Sequence, residues 1–261
     1  MRQDSAKFIP QEDANLSVTQ NQYGESRRLW EYYRENPGPQ GFLVEVPENN
    51  MVNPHFHRVN QFQIFFPAEG ARYQKTPLDR VEVHYTDGFV PYGPITTGDT
   101  TMEFFTLRAA HDPSKSWIAY MPKERARLTR RGKRHIHHAV PGTDGLSPWP
   151  AEPTVNTLFE YPDGLSGRVA YVPAGGSAPS FDPSNGGGLY HIVLQGAAQI
   201  DTQLFSVKSL LWLNPDNPVP TIVAGGAGLM LLTVQFPVSS QDLPDDEAVK
   251  AQAKASTATM V

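Results

Sequence analysis

Two histidines separated by one residue, His55 and His57, are the side chains of this sequence best suited to chemistry. On a β-strand, residues two apart face the same side, so both imidazoles can point into one interior and share one ion. Gln63 follows six residues after His57, Gln61 shares the face of Gln63, and Gly70 ends the strand. The pattern predicts a divalent-metal site or, alternatively, two imidazoles that line an apolar pocket and hydrogen-bond a substrate without metal.

The candidates for a third ligand are His84 and Tyr92. His84 alternates with Glu82 and Thr86, so it points away from the core if the neighbouring valines face the core. Three or four nitrogen and oxygen ligands with open positions would suit Fe(II), Mn(II), Ni(II) or Zn(II). Such a centre activates O2 or polarises a carbonyl oxygen.

Composition narrows the class of protein. The 261 residues include 24 Pro, 21 Gly and no Cys, which favours short strands joined by turns and excludes disulfides, thiolate metal sites and cysteine nucleophiles. The formal net charge of −5 argues against a general nucleic-acid binder. No apolar run is long enough to span a membrane and residues 1–15 lack a hydrophobic core, so we expect a soluble cytoplasmic protein.

An internal repeat with a period near 126 residues predicts the domain organisation. The segment Gly41–Pro47 is echoed by Gly167–Pro173, and Gly70, at the end of an apolar strand, is echoed by Gly196. Both copies consist of short β-branched or aromatic runs bounded by Gly, Pro, Asn and Asp. The sequence therefore predicts a duplicated, all-β protein with two small barrels.

The first copy resembles the first motif of the cupin superfamily, in which a turn residue, five spacers, His-x-His, an acidic ligand, six spacers and Gly follow one another. Asn49 takes the turn position, and Gln63 stands where the family usually has Glu. Residues 91–96 resemble the second motif, Pro-x-Gly-x-x-His, with Thr96 in place of the histidine. The resemblance covers residues 41–110 and 167–237 and implies a bicupin, with two tandem jelly-roll barrels.

The repeat and the resemblance together predict five segments. They are an N-terminal arm at 1–40 with a short helix over Ser26–Asn36, a barrel with the candidate site at 41–114, a basic, Gly/Pro-rich connector at 115–153, a second barrel at 154–237 and a polar tail at 238–261. In the second copy Ser180 and Asp182 occupy the histidine places, and Leu189 stands where Gln63 does. We expect that barrel to be structural or to mediate dimerisation.

The resemblance implies a metal-dependent enzyme that acts on a small organic substrate, aromatic or carbonyl-containing, with dioxygenase-type oxidation as the leading reaction. His55, His57 and Gln63 would hold the metal, with His84 as a reserve ligand, while Gln61 and Tyr92 would orient the substrate or donate hydrogen bonds to developing negative charge. The alternatives are a metal-free module that binds or senses a small molecule, and a metal-dependent isomerase or lyase. We expect a homodimer with no nucleic-acid or membrane partner.

A second histidine group follows the basic run at 123–134, in which seven Lys or Arg accompany one Glu. His135 and His137 would share a face of a strand and could bind a second metal, and His138 lies beside them. No carboxylate is nearby in the sequence, which favours an exposed basic connector instead.

Overall fold

The computed structural model of the chain describes residues 7–9, 16–20, 26–30, 38–110, 112, 116–117, 134–143 and 149–238. Strands account for nearly all regular structure in these ranges, so the all-β prediction is confirmed. A short 3-10 helix covers Pro183–Asn185. Within the described ranges no helix has the length and apolar character needed to cross a membrane.

Twenty strands follow one another along the chain. They are β1 (Lys7–Ile9), β2 (Leu16–Gln20), β3 (Ser26–Trp30), β4 (Gln40–Val46), β5 (Met51–Val52), β6 (His55–Phe56), β7 (Gln61–Phe65), β8 (Arg72–Tyr73), β9 (Thr76–Pro77), β10 (Glu82–Thr86), β11 (Ile95–Thr96), β12 (Met102–Arg108), β13 (Ser116–Trp117), β14 (His135–Ala139), β15 (Thr154–Glu160), β16 (Ser166–Val172), β17 (Leu189–Ile200), β18 (Gln203–Phe205), β19 (Leu210–Leu213) and β20 (Val223–Gln235). The chain divides into two compact units, of which the first contains β2 to β14 and the second contains β1 and β15 to β20.

The first unit is built on a five-stranded antiparallel sheet in the order β14-β10-β7-β12-β4. A four-stranded sheet, β5-β11-β8-β9, shares an apolar core with it, because Phe65 and Phe104 of the larger sheet pack in one cluster with Tyr73 and Ile95 of the smaller one. The pairs β6–β13 and β2–β3 complete the unit. Asn49 has a positive φ of 52°, which fits the turn position that the motif assigns to it.

One face of the five-stranded sheet carries polar side chains in two neighbouring rows, set by the strand register. The first row is His135, Thr86, Gln61, Arg108 and Gln40, and the second is His137, His84, Gln63 and Thr106, which ends at the apolar Phe42. This face also bears Phe65 and Phe104, so it is the interior of the barrel. His84 is therefore inside, and Val83 of the same strand is buried on the opposite face.

The second unit is a sheet in the order β1-β19-β17-β20-β16-β15, with β18 paired to β17. Its core is almost entirely aliphatic and includes Leu189, Val193, Leu211 and Leu231. Burial of these side chains supplies the main driving force for this barrel. Gly196, the counterpart of Gly70, again has a positive φ, 72° against 73°, so the repeat extends to backbone conformation.

Two regions differ from the sequence-based expectation. Ser26–Trp30, predicted as the start of a helix, is strand β3 and pairs with β2, while residues 31–37 lie outside the described part. Pairing with β2 satisfies the backbone N–H and C=O groups that a helix would satisfy internally, and helix propensity is too weak to outweigh this pairing.

The predicted connector contributes β13 and β14 to the first unit, and β1, in the predicted arm, pairs with β19. The basic run before Arg134 and the tail after Val238 lie outside the described residues.

Candidate active site in the first barrel

The first histidine pair is buried at one end of the barrel interior. His55 and His57 are 4% and 9% exposed, and their ring centroids are 5.3 Å apart in an edge-on arrangement. His55 Nδ1 lies 2.8 Å from the carbonyl oxygen of Asn53, so Nδ1 carries the proton and Nε2 is the acceptor nitrogen. Backbone hydrogen bonds between His55 and Tyr92 hold the tyrosine ring 4.4 Å from the His55 ring.

A buried arginine, Arg108 at the end of β12, joins this pair to the sheet. Its Nη2 lies 3.2 Å from both ring nitrogens of His57. Its Nη1 donates to Gln40 Oε1 and to the carbonyl oxygen of Asp112, and its Nε donates to Gln61 Oε1 at 3.0 Å. Arg108 is 3% exposed, and its guanidinium therefore fixes several polar groups of the first row from a buried position.

The orientation of the Gln61 amide follows from these contacts. Arg108 can only donate, so Gln61 Oε1 is the acceptor and Gln61 Nε2 must be the atom that donates to Tyr92 Oη at 2.5 Å. Tyr92 Oη accepts from Gln61, and its own proton is directed elsewhere. The chain Arg108–Gln61–Tyr92 therefore presents the tyrosine hydroxyl as an oriented donor beside the histidine pair.

A second group, called here the His84 cluster, comprises Tyr73, Glu82, His84, His135 and His137. Tyr73 Oη lies 3.0 Å from His84 Nε2 and 2.6 Å from His135 Nε2. His137 Nε2 lies 2.8 Å from Glu82 Oε2, but without the alignment of a hydrogen bond, so this buried nitrogen has no hydrogen-bond partner. The cluster is formed by β8, β10 and β14, and thus requires the strand that the sequence assigns to a connector.

The electrostatics of the cluster favour neutral rings. Burial lowers the pKa of His84 well below its usual range, and the neighbouring His135 and His137 lower it further. Partial desolvation, followed by the influence of His137, lowers the pKa of His135. Burial raises the pKa of Tyr73, and Tyr92 adds to that shift. His84 and His135 are therefore uncharged near neutral pH and keep a nitrogen lone pair each.

The predicted site residues form two adjacent groups, which meet where the rings of His84 and Tyr92 lie 5.3 Å apart. His55, His57, Gln61 and Tyr92 come together, whereas Gln63 accepts a hydrogen bond at Oε1 from His84 Nδ1, 2.9 Å away. The sequence reasoning missed Arg108, Tyr73 and Glu82 as members of these groups. The same-face spacing of Glu82 with His84, on one strand, is the signal that could have identified Glu82.

The residues of the first motif do not fit a divalent cation in this arrangement. Gln63 is bonded to His84, and the positive guanidinium of Arg108 lies against both nitrogens of His57. A carboxylate does approach, since Asp112 Oδ2 is 3.6 Å from His57 Nδ1, but it also accepts the backbone N–H of Arg58. Across the described ranges, no three His, Asp or Glu side chains converge in metal-binding geometry.

The second barrel has different groups at the matching positions. Asp182 accepts a hydrogen bond from the backbone of Ser184 and caps the 3-10 helix, and hydrogen bonding to Ser184 lowers its pKa. His191 is buried and its Nδ1 lies 2.8 Å from Thr233 Oγ1, while its Nε2 has no hydrogen-bond partner. Asp182 therefore has a structural role at the position where the first barrel has His57.

Comparison with known proteins identifies the fold. No protein-family model and no curated protein matches the sequence. Among solved structures, the chain is similar to a candidate dioxygenase from Nostoc punctiforme (TM-score 0.63, 10% identity, covering 90% of this chain and 84% of that one). It is also similar to procruciferin, an 11S globulin from Brassica napus (0.58, 10%, 91% and 85%), and to the bacterial pirin YhhW from Escherichia coli in complex with nickel(II) (0.53, 9%, 89% and 100%).

These structural similarities extend over most of the chain and over both units. At sequence identities of 10% they establish the fold and nothing further. The structural neighbours are cupin-fold proteins. The chain therefore has the cupin fold, with two barrels in tandem, which is the bicupin architecture that the His-x-His motif and the internal repeat predict.

Proposed function

We propose that the first barrel binds a small organic molecule through its carbonyl or carboxylate oxygens, with Tyr92 as the principal donor and His55 and His57 as ring partners. The observation that carries this proposal is the fixed polarity of the chain from Arg108 through Gln61 to Tyr92. A donor whose direction is set before the ligand arrives loses little freedom on binding. An acceptor oxygen is the ligand group that such a donor recognises.

The charge around the site supports the same ligand class. The guanidinium of Arg108 carries a positive charge and the residue is buried, so this charge acts at a low effective dielectric constant. A negative or strongly polarised oxygen near Tyr92 is favoured by that charge, whereas a cation is disfavoured. His57 is the most exposed of His55, His57, Gln61 and Tyr92, and we assign the access route to its side of the site.

Ligand binding with a matched pair of tyrosine variants tests the proposal. Benzoate and acetophenone carry a carboxylate and a ketone on the same ring, and we expect at least one to raise the unfolding temperature of the wild type. Tyr92→Phe removes one hydrogen bond and should weaken binding about 5- to 10-fold in calorimetric titration. Tyr161→Phe, whose side chain is 37% exposed in the second unit, is the control and should bind as the wild type does.

Two outcomes would contradict the proposal. One is equal affinity of the wild type and Tyr92→Phe for the ligand that binds. The other is an unfolding temperature unchanged by these probes and by a wider panel of small carboxylic acids and ketones.

A metal-dependent oxidoreductase of the dioxygenase type is the second candidate. It is favoured by the similarity to a candidate dioxygenase and by the tautomer of His55, whose Nδ1–H donates to a carbonyl as metal-binding histidines usually do. It requires stoichiometric metal in protein purified without added metal, loss of that metal in a His55→Ala, His57→Ala double variant, and O2 uptake with the bound ligand. A protein that contains no metal and still binds the ligand normally would exclude the oxidoreductase and retain the binding function.

A further inference from the structure

We propose that the second barrel binds a small apolar molecule with one hydroxyl group, of the size and chemistry of phenol, and that His191 is its hydrogen-bond partner. The inference concerns the barrel to which the sequence assigns a structural role, and it does not rest on the function proposed for the first barrel. It depends on a buried imidazole, on an apolar cavity beside it and on an interrupted sheet that forms one wall of the cavity.

His191 places a polar ring inside the second barrel. It lies in β17 opposite Thr233, on the face that carries Leu189 and Val193 of the apolar core, and it is 3% exposed. Its Nδ1 lies 2.8 Å from Thr233 Oγ1, whereas its buried Nε2 has no hydrogen-bond partner among the described residues. Buried polar atoms are almost always hydrogen-bonded, so Nε2 is the ring nitrogen left for a ligand.

A cavity lies beside this ring. Apart from His191 and Ser209, its lining is apolar and includes Val193, Ala198, Ile200, Phe205, Leu211 and Leu231. These six side chains belong to the core cluster of the second barrel. Apolar walls with very few polar groups are typical of sites for small organic molecules.

The hydrogen bond of His191 determines the group that a ligand must offer. The hydroxyl of Thr233 can either accept from Nδ1 or donate to it, so Nε2 is an acceptor in one tautomer and a donor in the other. A hydroxyl group both donates and accepts and therefore satisfies either tautomer. Burial lowers the pKa of His191 to about 4, so the ring is neutral at pH 7, and the apolar walls disfavour a charged ligand group.

The size of the cavity limits the apolar part of the ligand. The space between its walls is about 250 Å³ with the open mouth included, but only about 10 Å³ of it is wide enough for a water molecule. One water fits in such a space, whereas a cavity that binds benzene measures roughly 150 Å³. A single six-membered ring is therefore the largest body that we assign to the site, and its entry requires the walls to separate.

The wall that can move is the hairpin formed by the end of β17 and β18. The pairing of β17 with β20 shifts register twice, between Val193 and Gln195 and between Gly196 and Ala198. Such bulges interrupt the ladder of hydrogen bonds and bend the strand. Strand β18 has only three residues, and its Leu204 is 56% exposed. This hairpin can therefore move outward while the rest of the sheet keeps its pairing.

Phenol and toluene are the matched probes, because they have the same ring and differ by one hydroxyl or methyl group. Each is titrated calorimetrically into the full-length protein at pH 7, and the ratio of the two Kd values gives the preference for the hydroxyl group. His191→Leu should lower this preference about 3- to 10-fold, as expected for the loss of one hydrogen bond. His191→Gln, whose amide can reach the place of Nε2, should restore part of it.

Two further variants locate the binding. Ala198→Leu enlarges a side chain of the lining and should weaken the binding of both probes. Val155→Ala changes an exposed side chain of β15 in the same unit and should bind both probes as the wild type does. Circular dichroism and the unfolding temperature of each variant separate loss of the site from loss of the fold.

Three results would overturn the inference. They are an unchanged preference for phenol in His191→Leu, failure of the wild type to bind either probe, and loss of phenol binding in Tyr92→Phe while His191→Leu still binds, which would place the ligand in the first barrel. A negative result for benzoate and acetophenone at Tyr92 does not affect this test, because its outcome is read from His191.

Discussion

The two barrels have one architecture but different interiors. In the first, the inner sheet face carries three histidines, three glutamines and an arginine, most of them joined by hydrogen bonds. In the second, the core cluster consists of leucine, valine, isoleucine and alanine with one phenylalanine, Phe205. Burial of aliphatic groups is favourable without further conditions, whereas buried polar groups stabilise a fold only when each finds a partner.

This difference separates the tasks of the two copies. A mainly aliphatic interior gives stability and offers few groups for recognition, while a polar interior sacrifices stability for oriented donors and acceptors. Structures of the same fold therefore give no indication of activity unless the interior is inspected residue by residue. The following predictions test whether the barrels differ as strongly in energy as they do in chemistry.

The largest effect is expected at Arg108. Arg108→Leu leaves acceptors on Gln61, Gln40 and the Asp112 backbone without their donor, and should lower the free energy of unfolding of the first barrel by about 3–5 kcal/mol. Urea unfolding followed by circular dichroism measures it. The control is Arg168→Leu in the second barrel, whose partner Glu160 is exposed, and which should cost at most about 1 kcal/mol. Equal losses would remove the energetic contrast between the barrels.

Acid sensitivity of the second barrel should depend on His191. Burial lowers the pKa of His191 to about 4, against about 6.5 in an unfolded chain. Between these values the unfolded chain takes up a proton that the folded chain does not, so stability is complete above pH 6.5 and falls by about 3 kcal/mol as the pH is lowered to 4. His191→Leu should flatten this part of the curve of unfolding free energy against pH. An identical slope in the variant and the wild type would show that His191 is not responsible.

A reciprocal exchange of the equivalent residues Gln63 and Leu189 should be unfavourable in both directions. Gln63→Leu removes the acceptor of His84 Nδ1–H, at a cost of about 1–3 kcal/mol. Leu189→Gln puts an amide into an aliphatic core, with a cost in the same range. Thermal unfolding of both variants measures these values. A first barrel stabilised by Gln63→Leu would mean that its polar interior is not an integrated network.

The smallest effect is expected at Gly70. Its φ of 73° makes any L-residue strained, and a Cβ there would lie 3.0 Å from Gly98 Cα, so Gly70→Ala should cost about 1–2 kcal/mol. The equivalent Gly196 has the same φ, but a Cβ would lie 2.0 Å from the carbonyl oxygen of Gly228. Gly196→Ala should therefore be the more destabilising of the two in parallel urea titrations. The reverse order would show that the second barrel relaxes more easily at this turn.

Part of the fold and of the candidate site could be predicted from local sequence patterns. The His-x-His spacing places His55 beside His57, Asn49 adopts the turn conformation that the motif requires, and the Gly70 and Gly196 pair reflects the duplication. These features depend on residues close in sequence or on a repeat that can be counted. They could therefore be predicted before any strand partner was known.

Long-range pairing determined the remainder. The partner of β10 is β14, which begins 49 positions after β10 ends, so the proximity of His84 and His137 could not be inferred from spacing. Arg108 joins the first histidine pair only through the register of β12 against β7. The strand at Ser26–Trp30 likewise follows from its pairing with β2, which overrides a local pattern typical of a helix.

Strands β1 and β14 have a consequence for the ancestry of the chain. Each lies outside the repeated segment, yet β14 forms an edge of the five-stranded sheet and β1 an edge of the second barrel. The unit that was duplicated and the unit that folds are thus no longer the same stretch of chain. A fragment cut at residue 114 would leave β10 as an open edge, and one that starts at residue 154 would do the same to β19, so each barrel needs a strand from outside the repeated segment to close its sheet edge.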